Sequence, residues 1–223
     1  MFNMEQHLHL ILPVILPVAA GGAMLAGKPL KENKRAGRVV LLLALGLELL
    51  LVAQALMKGG GMVFWHLTGT MELAFQIDEI SVLFAALTSG IWLLVGIYGI
   101  SYMSFEHREN QFFGWYLVVL GVLIGLDFSG NLLTMYVFYE LMTLTSLPLV
   151  LHERTHQAVM AGLKYLFYSV AGAFLALFGI FFLAGIAESL TFVPGGTVTR
   201  EIIAGKEGLF LGAVVCMIIG FGA

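Results

Sequence analysis

The stretch NLLTMYVFYELMTLTSLPLVLH (131–152) decides the fold. Between Asn131 and His152 it carries a single charged residue, Glu140, among apolar and hydroxyl-bearing side chains. Its length matches the roughly 20 residues with which an α-helix crosses a hydrocarbon core of about 30 Å. On a 3.6-residue period Tyr136, Glu140 and Thr143 share one face, with Tyr139 beside it. A carboxyl group with hydroxyl neighbours at that depth suits a hydrated proton path. The plainer reading is a protonated acid that hydrogen-bonds a neighbouring helix. Intramembrane carboxyls are costly enough that the first is preferred.

Six further apolar runs surround this one. They cover Leu8–Ala26, Val39–Met57, Ile80–Met103, Phe112–Phe128, Ala158–Ala187 and Leu209 onward, and the run quoted first occupies Leu132–Leu151 as the fifth. The fourth is short, and the sixth is long enough to tilt or to project from the bilayer. Composition agrees with the runs: 60% of residues are hydrophobic, 11% are charged, and mean hydropathy is +0.96. An ordinary soluble domain carries about a quarter charged residues. The predicted fold class is all-α, a polytopic transmembrane helix bundle of six full spans and a truncated seventh. The first run holds Pro13 and Pro17 and lacks a basic leader, so it reads as a kinked span and not as a signal peptide. The last run, LFLGAVVCMIIGFGA (209–223), has no polar flank, and the protein is expected to continue beyond it.

Lysine and arginine set the orientation. Lys28, Lys31, Lys34, Arg35, Arg38, Arg108 and Arg154 fall in loops on one side; Lys58, Arg200 and Lys206 fall on the other. This bias predicts a cytoplasmic first loop and an external N-terminus. A net charge of −3 points to no nucleic-acid partner. The lone Cys216 rules out an internal disulfide, a thiolate-held iron–sulfur cluster and a zinc knuckle. His7, His9, His66, His107, His152 and His156 fall at span ends or in loops, which disfavours a haem held between spans. The chain is therefore expected to carry no cofactor, and any redox centre belongs to another subunit.

Two more ionisable residues lie inside spans. Lys164, in QAVMAGLKYLFYSVAGAFLALFG (157–179), admits two readings. Its ammonium can snorkel to the interface, or it can pair with Glu140 across the hairpin closed by HERTHQ (152–157). Counted from the hairpin midpoint the two differ in depth by about 8 Å. Tyr168, one turn on, favours the internal site. Glu48 sits among leucines with no polar stripe and reads as a helix-contact residue. Gly172, Ala176 and Gly179 read as a close-packing seam. The remaining signals are structural: glycine turns at 59–61 and 194–196, Asp78 and Glu79 at a helix N-terminus, and a tight turn from Asp127 to Asn131.

Three of these stretches also resemble a known family. IDEISVLF (77–84), NLLTMYVFYELMTLTSLPL (131–149) and AGLKYLFYSVAGAFLALFG (161–179) are similar to the third, fifth and sixth helices of the antiporter-like subunits of respiratory complex I, Mrp-type Na+/H+ antiporters and energy-converting membrane hydrogenases. The family's usual glycine is replaced here by Glu79. The resemblance implies an inverted-repeat antiporter fold, with residues 1–111 as an N-terminal three-helix region and 112–223 as an incomplete first repeat. It matches Glu140 and Lys164 to the family's proton-translocating glutamate and lysine. It also implies partner membrane subunits in a hetero-oligomeric complex in a prokaryotic plasma membrane, with protons or Na+ as the moving ion. A structural subunit that has lost transport is the alternative. A seven-helix receptor fits the span count but leaves the glutamate and lysine on adjacent helices unexplained.

Overall fold

The polar residues that bound the apolar runs cap the helices. Asn33 accepts a hydrogen bond from the Ala36 amide (3.1 Å), Asp78 from Ser81 (2.7 Å), Asn131 from Thr134 (2.8 Å) and Thr155 from Ala158 (3.1 Å). Each satisfies an amide that the first helical turn leaves without an intrahelical acceptor. The computed structural model describes residues 4–27, 33–67, 71–187 and 189–222. Its helices are α1 (Met4–Ala26), α2 (Lys34–Lys58), α3 (Glu79–Met103), α4 (Glu109–Asp127), α5 (Leu132–Val150), α6 (His156–Ala184) and α7 (Glu207–Gly222). A single helical turn, Arg200–Ile203, precedes α7. Among the described residues α1 to α6 are long and apolar enough to cross a membrane, and α7 is a shorter apolar helix. The protein is an integral membrane protein. Apart from α5, which begins with its run at Leu132, the helices begin one to five residues earlier than the apolar runs, since their first turns are polar.

One element has no counterpart in the expected all-α pattern. Strands β1 (Gly60–His66) and β2 (Glu72–Ile77) form an antiparallel hairpin between α2 and α3, with Gly60 opposite Ile77. The glycines at its head do make a turn, as expected: Gly59 and Gly60 have φ of 61° and 95°, which residues with a Cβ rarely adopt. The hairpin is fixed by Phe75, whose ring meets Phe64, Phe128 and Phe138 at centroid distances of 4.8, 6.4 and 5.4 Å. The turn from Asp127 to Asn131 is more than a connection. Gln76 donates to the Phe128 carbonyl (2.8 Å), Gly130 to Ala74 (2.9 Å), the Asn131 side chain to Glu72 (2.9 Å), and Phe192 to Gly130 (3.0 Å). The hairpin, the α4–α5 turn and the segment before α7 are tied at one buried node.

Helices α1 to α4 pack around Leu10, Met24, Leu41, Leu45, Phe113 and Leu117. The closeness of α1 and α4 depends on absent side chains. A Cβ on Gly21 would collide with the Gly114 carbonyl, and one on Gly121 would lie 2.5 Å from the Val14 carbonyl. The expected small-residue seam on α6 is used in the same way. A Cβ on Gly179 would lie 2.6 Å from the Ala213 carbonyl of α7, and Gly220 of α7 sits directly on Ala176 and Gly172.

Candidate functional site

Glu140 lies midway along α5, half-buried, with Oε1 shielded from solvent and without a hydrogen-bond partner. Two of the three hydroxyls expected beside it, those of Thr143 and Tyr139, are engaged elsewhere. Thr143 is buried and donates to the Tyr139 carbonyl of its own helix (3.3 Å). Tyr139 reaches across to α7, where its hydroxyl donates to the Phe221 carbonyl (3.2 Å) and its ring packs edge-on against Phe221 at 5.3 Å. The carboxyl group thus sits within a hydroxyl-rich stretch that joins α5 to α7, and it is itself uncommitted.

Lys164 is exposed on α6, as is Tyr168. Among the described residues no ion pair or hydrogen bond joins Lys164 to Glu140. The hydroxyls of Ser146 and Tyr165 lie 3.0 Å apart and set the register of the α5–α6 hairpin. That places Lys164 level with Leu147, about 10 Å along the helix axis from Glu140 at about 1.5 Å per residue. Below Glu140, the same face of α5 lines a groove of about 450 Å³ with Leu144, Pro148 and Leu151. Gln111, His152 and Arg154 also line it, near the end of the hairpin.

Two acidic residues stand out that sequence patterning does not single out as sites. Glu109, at the first turn of α4, is fully buried and held by Arg38 of α2 through Nε–Oε1 at 2.6 Å and Nη2–Oε2 at 3.1 Å, with Lys34 Nζ at 3.4 Å. Sequence marks Lys34 and Arg38 only as loop charges, because their acidic partner is about seventy positions away. Glu48, at the centre of α2, occupies a helix contact as expected, yet neither of its oxygens has a hydrogen-bond partner. No cluster of His, Cys, Asp or Glu among the described residues is arranged to hold a metal ion.

Residues 129–223 match the family model described as NADH:quinone oxidoreductase/Mrp antiporter, TM, and residues 65–113 match that of the NADH-Ubiquinone oxidoreductase (complex I), chain 5 N-terminus. The chain belongs to the antiporter-like membrane subunit family of complex I and Mrp complexes. Among curated relatives, the Na(+)/H(+) antiporter subunit A1 of Staphylococcus haemolyticus (strain JCSC1435) is 32% identical over 157 residues, covering 67% of this chain and 19% of that protein. Among solved structures, a chain of the membrane-bound sulfane sulfur reductase, an archaeal respiratory membrane complex, superposes with a TM-score of 0.77 at 16% identity, over 95% of this chain and 43% of that one. A chain of the Mrp complex from Dietzia sp. DQ12-45-1b gives 0.72 at 19% identity, over 98% and 40%. At these identities the structural likeness establishes the fold. The chain spans about a fifth of the staphylococcal relative and about two-fifths of the solved chains.

Proposed function

We propose that this chain is part of a proton- or sodium-ion-translocating membrane subunit, working within a redox-driven complex or a multisubunit cation/proton antiporter. Glu140 is the switchable carboxyl group, and Lys164 is the relay or charge partner that tunes it. The observation that carries this reading is the placement of Glu140. It lies inside a membrane-spanning helix with one buried oxygen uncommitted, one turn from Leu144, which lines a groove between α5 and α6 near the hairpin end. A carboxyl left unpaired at that depth is costly, and the hydroxyls of Tyr139 and Thr143 bond elsewhere instead of stabilising it. Its place in the stretch matched by the antiporter family model supports the same role.

The groove serves as the access route from the side that the lysine and arginine count assigns to the cytoplasm. In this scheme the N-terminal three-helix region, residues 1–111, is scaffold, and residues 112–223 hold the first part of the ion pathway. Where Lys164 stands in the structure, a direct contact with Glu140 needs helix movement or a bridging water. Its role is therefore electrostatic at longer range, or it joins the site only in another state of the cycle.

The test is cation-driven proton movement in vesicles that contain the full-length protein with its partner subunits. Glu140→Gln is expected to abolish transport, Glu140→Asp to retain part of it, and Lys164→Met to slow it. Normal transport by Glu140→Gln at normal assembly contradicts the assignment. The exposed position of Lys164 favours a second reading, a structural subunit that keeps the fold without transport. That reading predicts that all three variants match the wild type.

A further inference from the structure

Glu48 presents a different problem from Glu140. It is 0% exposed, and both carboxyl oxygens are buried without a hydrogen-bond partner. A glutamate placed at a helix contact for structural reasons should bond the neighbouring helix, and this one does not. Polar groups of the surrounding helices are committed to one another. Trp92 Nε1 donates to the Tyr116 carbonyl (3.1 Å), the Tyr116 hydroxyl to the Trp92 carbonyl (2.7 Å), and Ser89 to the Ala85 carbonyl (2.8 Å). Leu45, one turn before Glu48 on α2, packs against Gly96 of α3, next to the Tyr116 ring. Leucine would fill such surroundings at far lower cost. The carboxyl group therefore has a use other than holding helices together.

The geometry also selects the ligand. A hard cation such as Na+ or a divalent ion needs several oxygens around it, and here one carboxyl stands alone. Neither of its oxygens has a hydrogen-bond partner, and no group of three or more His, Cys, Asp or Glu residues among the described residues is arranged to hold a metal ion. A lone carboxyl with no other donor or acceptor binds a proton unaided.

We propose that Glu48 is a second proton-binding carboxyl of this chain, separate from Glu140, that takes up and releases its proton within the α1–α4 bundle. The step is simple protonation of a carboxylate, with no bond made or broken other than O–H. It does not depend on the role assigned to Glu140, because the two residues lie on different helices and no hydrogen-bond partner joins their buried oxygens.

The test is infrared spectroscopy of the full-length protein purified in detergent, in H2O and after transfer to D2O. A carboxylic-acid C=O band is expected in the wild type and in Glu140→Gln. It should be absent from Glu48→Gln and from Glu48→Leu, the latter serving if the amide variant fails to fold. The band should shift down in D2O and stay fixed when Na+ replaces choline. The proposal is overturned if neither Glu48 variant loses such a band, if the band does not move in D2O, or if it moves with Na+.

Discussion

The α1–α4 bundle and the α5–α6 hairpin are built from equally apolar helices, yet they use polar residues in opposite ways. In α4, at the centre of the bundle, 72% of the spanning segment is buried within the chain, against 17% in α5 and 22 to 33% in the other four spans. The bundle closes through glycines, and its buried Glu109 is clamped by Arg38 and Lys34. Along the hairpin, Glu140 has an uncommitted oxygen and Lys164 has no ion-pair partner among the described residues. The clamped ion pair thus lies in the bundle, and the uncommitted carboxyl for which ion chemistry is proposed lies in the hairpin. Glu48 is the exception inside the bundle, and that is why it calls for a chemical explanation.

This division can be attacked with substitutions of graded severity. The largest stability effect is expected from Gly121→Leu, which forces α1 away from α4 by overpacking and costs about 3 kcal/mol. Gly46→Leu is its control, because a Cβ at Gly46 meets nothing within 4 Å and its thermal midpoint should stay near that of the wild type. Next comes Arg38→Ala. It leaves the buried Glu109 with Lys34 alone and is expected to cost about 2 kcal/mol, as loss of hydrogen bonds to a charged group does. Lys34→Ala should cost under about 1 kcal/mol, since that lysine is half-exposed and its contact is the longer one. Smallest is Lys164→Met, with a stability change within about 0.5 kcal/mol even though transport slows. Thermal unfolding in one detergent orders the series. A midpoint for Lys164→Met as low as that for Arg38→Ala breaks the division.

Much of the bundle is legible before any coordinates. Length and hydropathy reveal all seven apolar helices, and Asp78, Asn131 and Thr155 mark three of their starts. The β-hairpin is hidden because each short strand carries only two inward residues, Met62 and Phe64 in β1 and Leu73 and Phe75 in β2, too few to distinguish a strand from a loop. Glu109 is hidden for another reason: its partners are distant in sequence, and buried ion pairs leave no local pattern. At the candidate site, depth and face can be read from spacing, so Glu140 and its hydroxyl neighbours are foreseeable. Their partners are not. A hydroxyl rotates to whichever acceptor is nearest, and Thr143 finds its own helix while Tyr139 finds Phe221. The separation of Glu140 and Lys164 depends on hairpin register, which the Ser146–Tyr165 contact fixes.

The most direct measurement is ion flux per folded molecule, taken side by side with the thermal midpoint, for Glu140→Gln and Arg38→Ala in the full-length protein with its partner subunits. Glu140→Gln should lose flux and keep its midpoint, whereas Arg38→Ala should lower the midpoint and keep flux per folded molecule. Undiminished flux in Glu140→Gln, or equal loss of flux in both, contradicts the account.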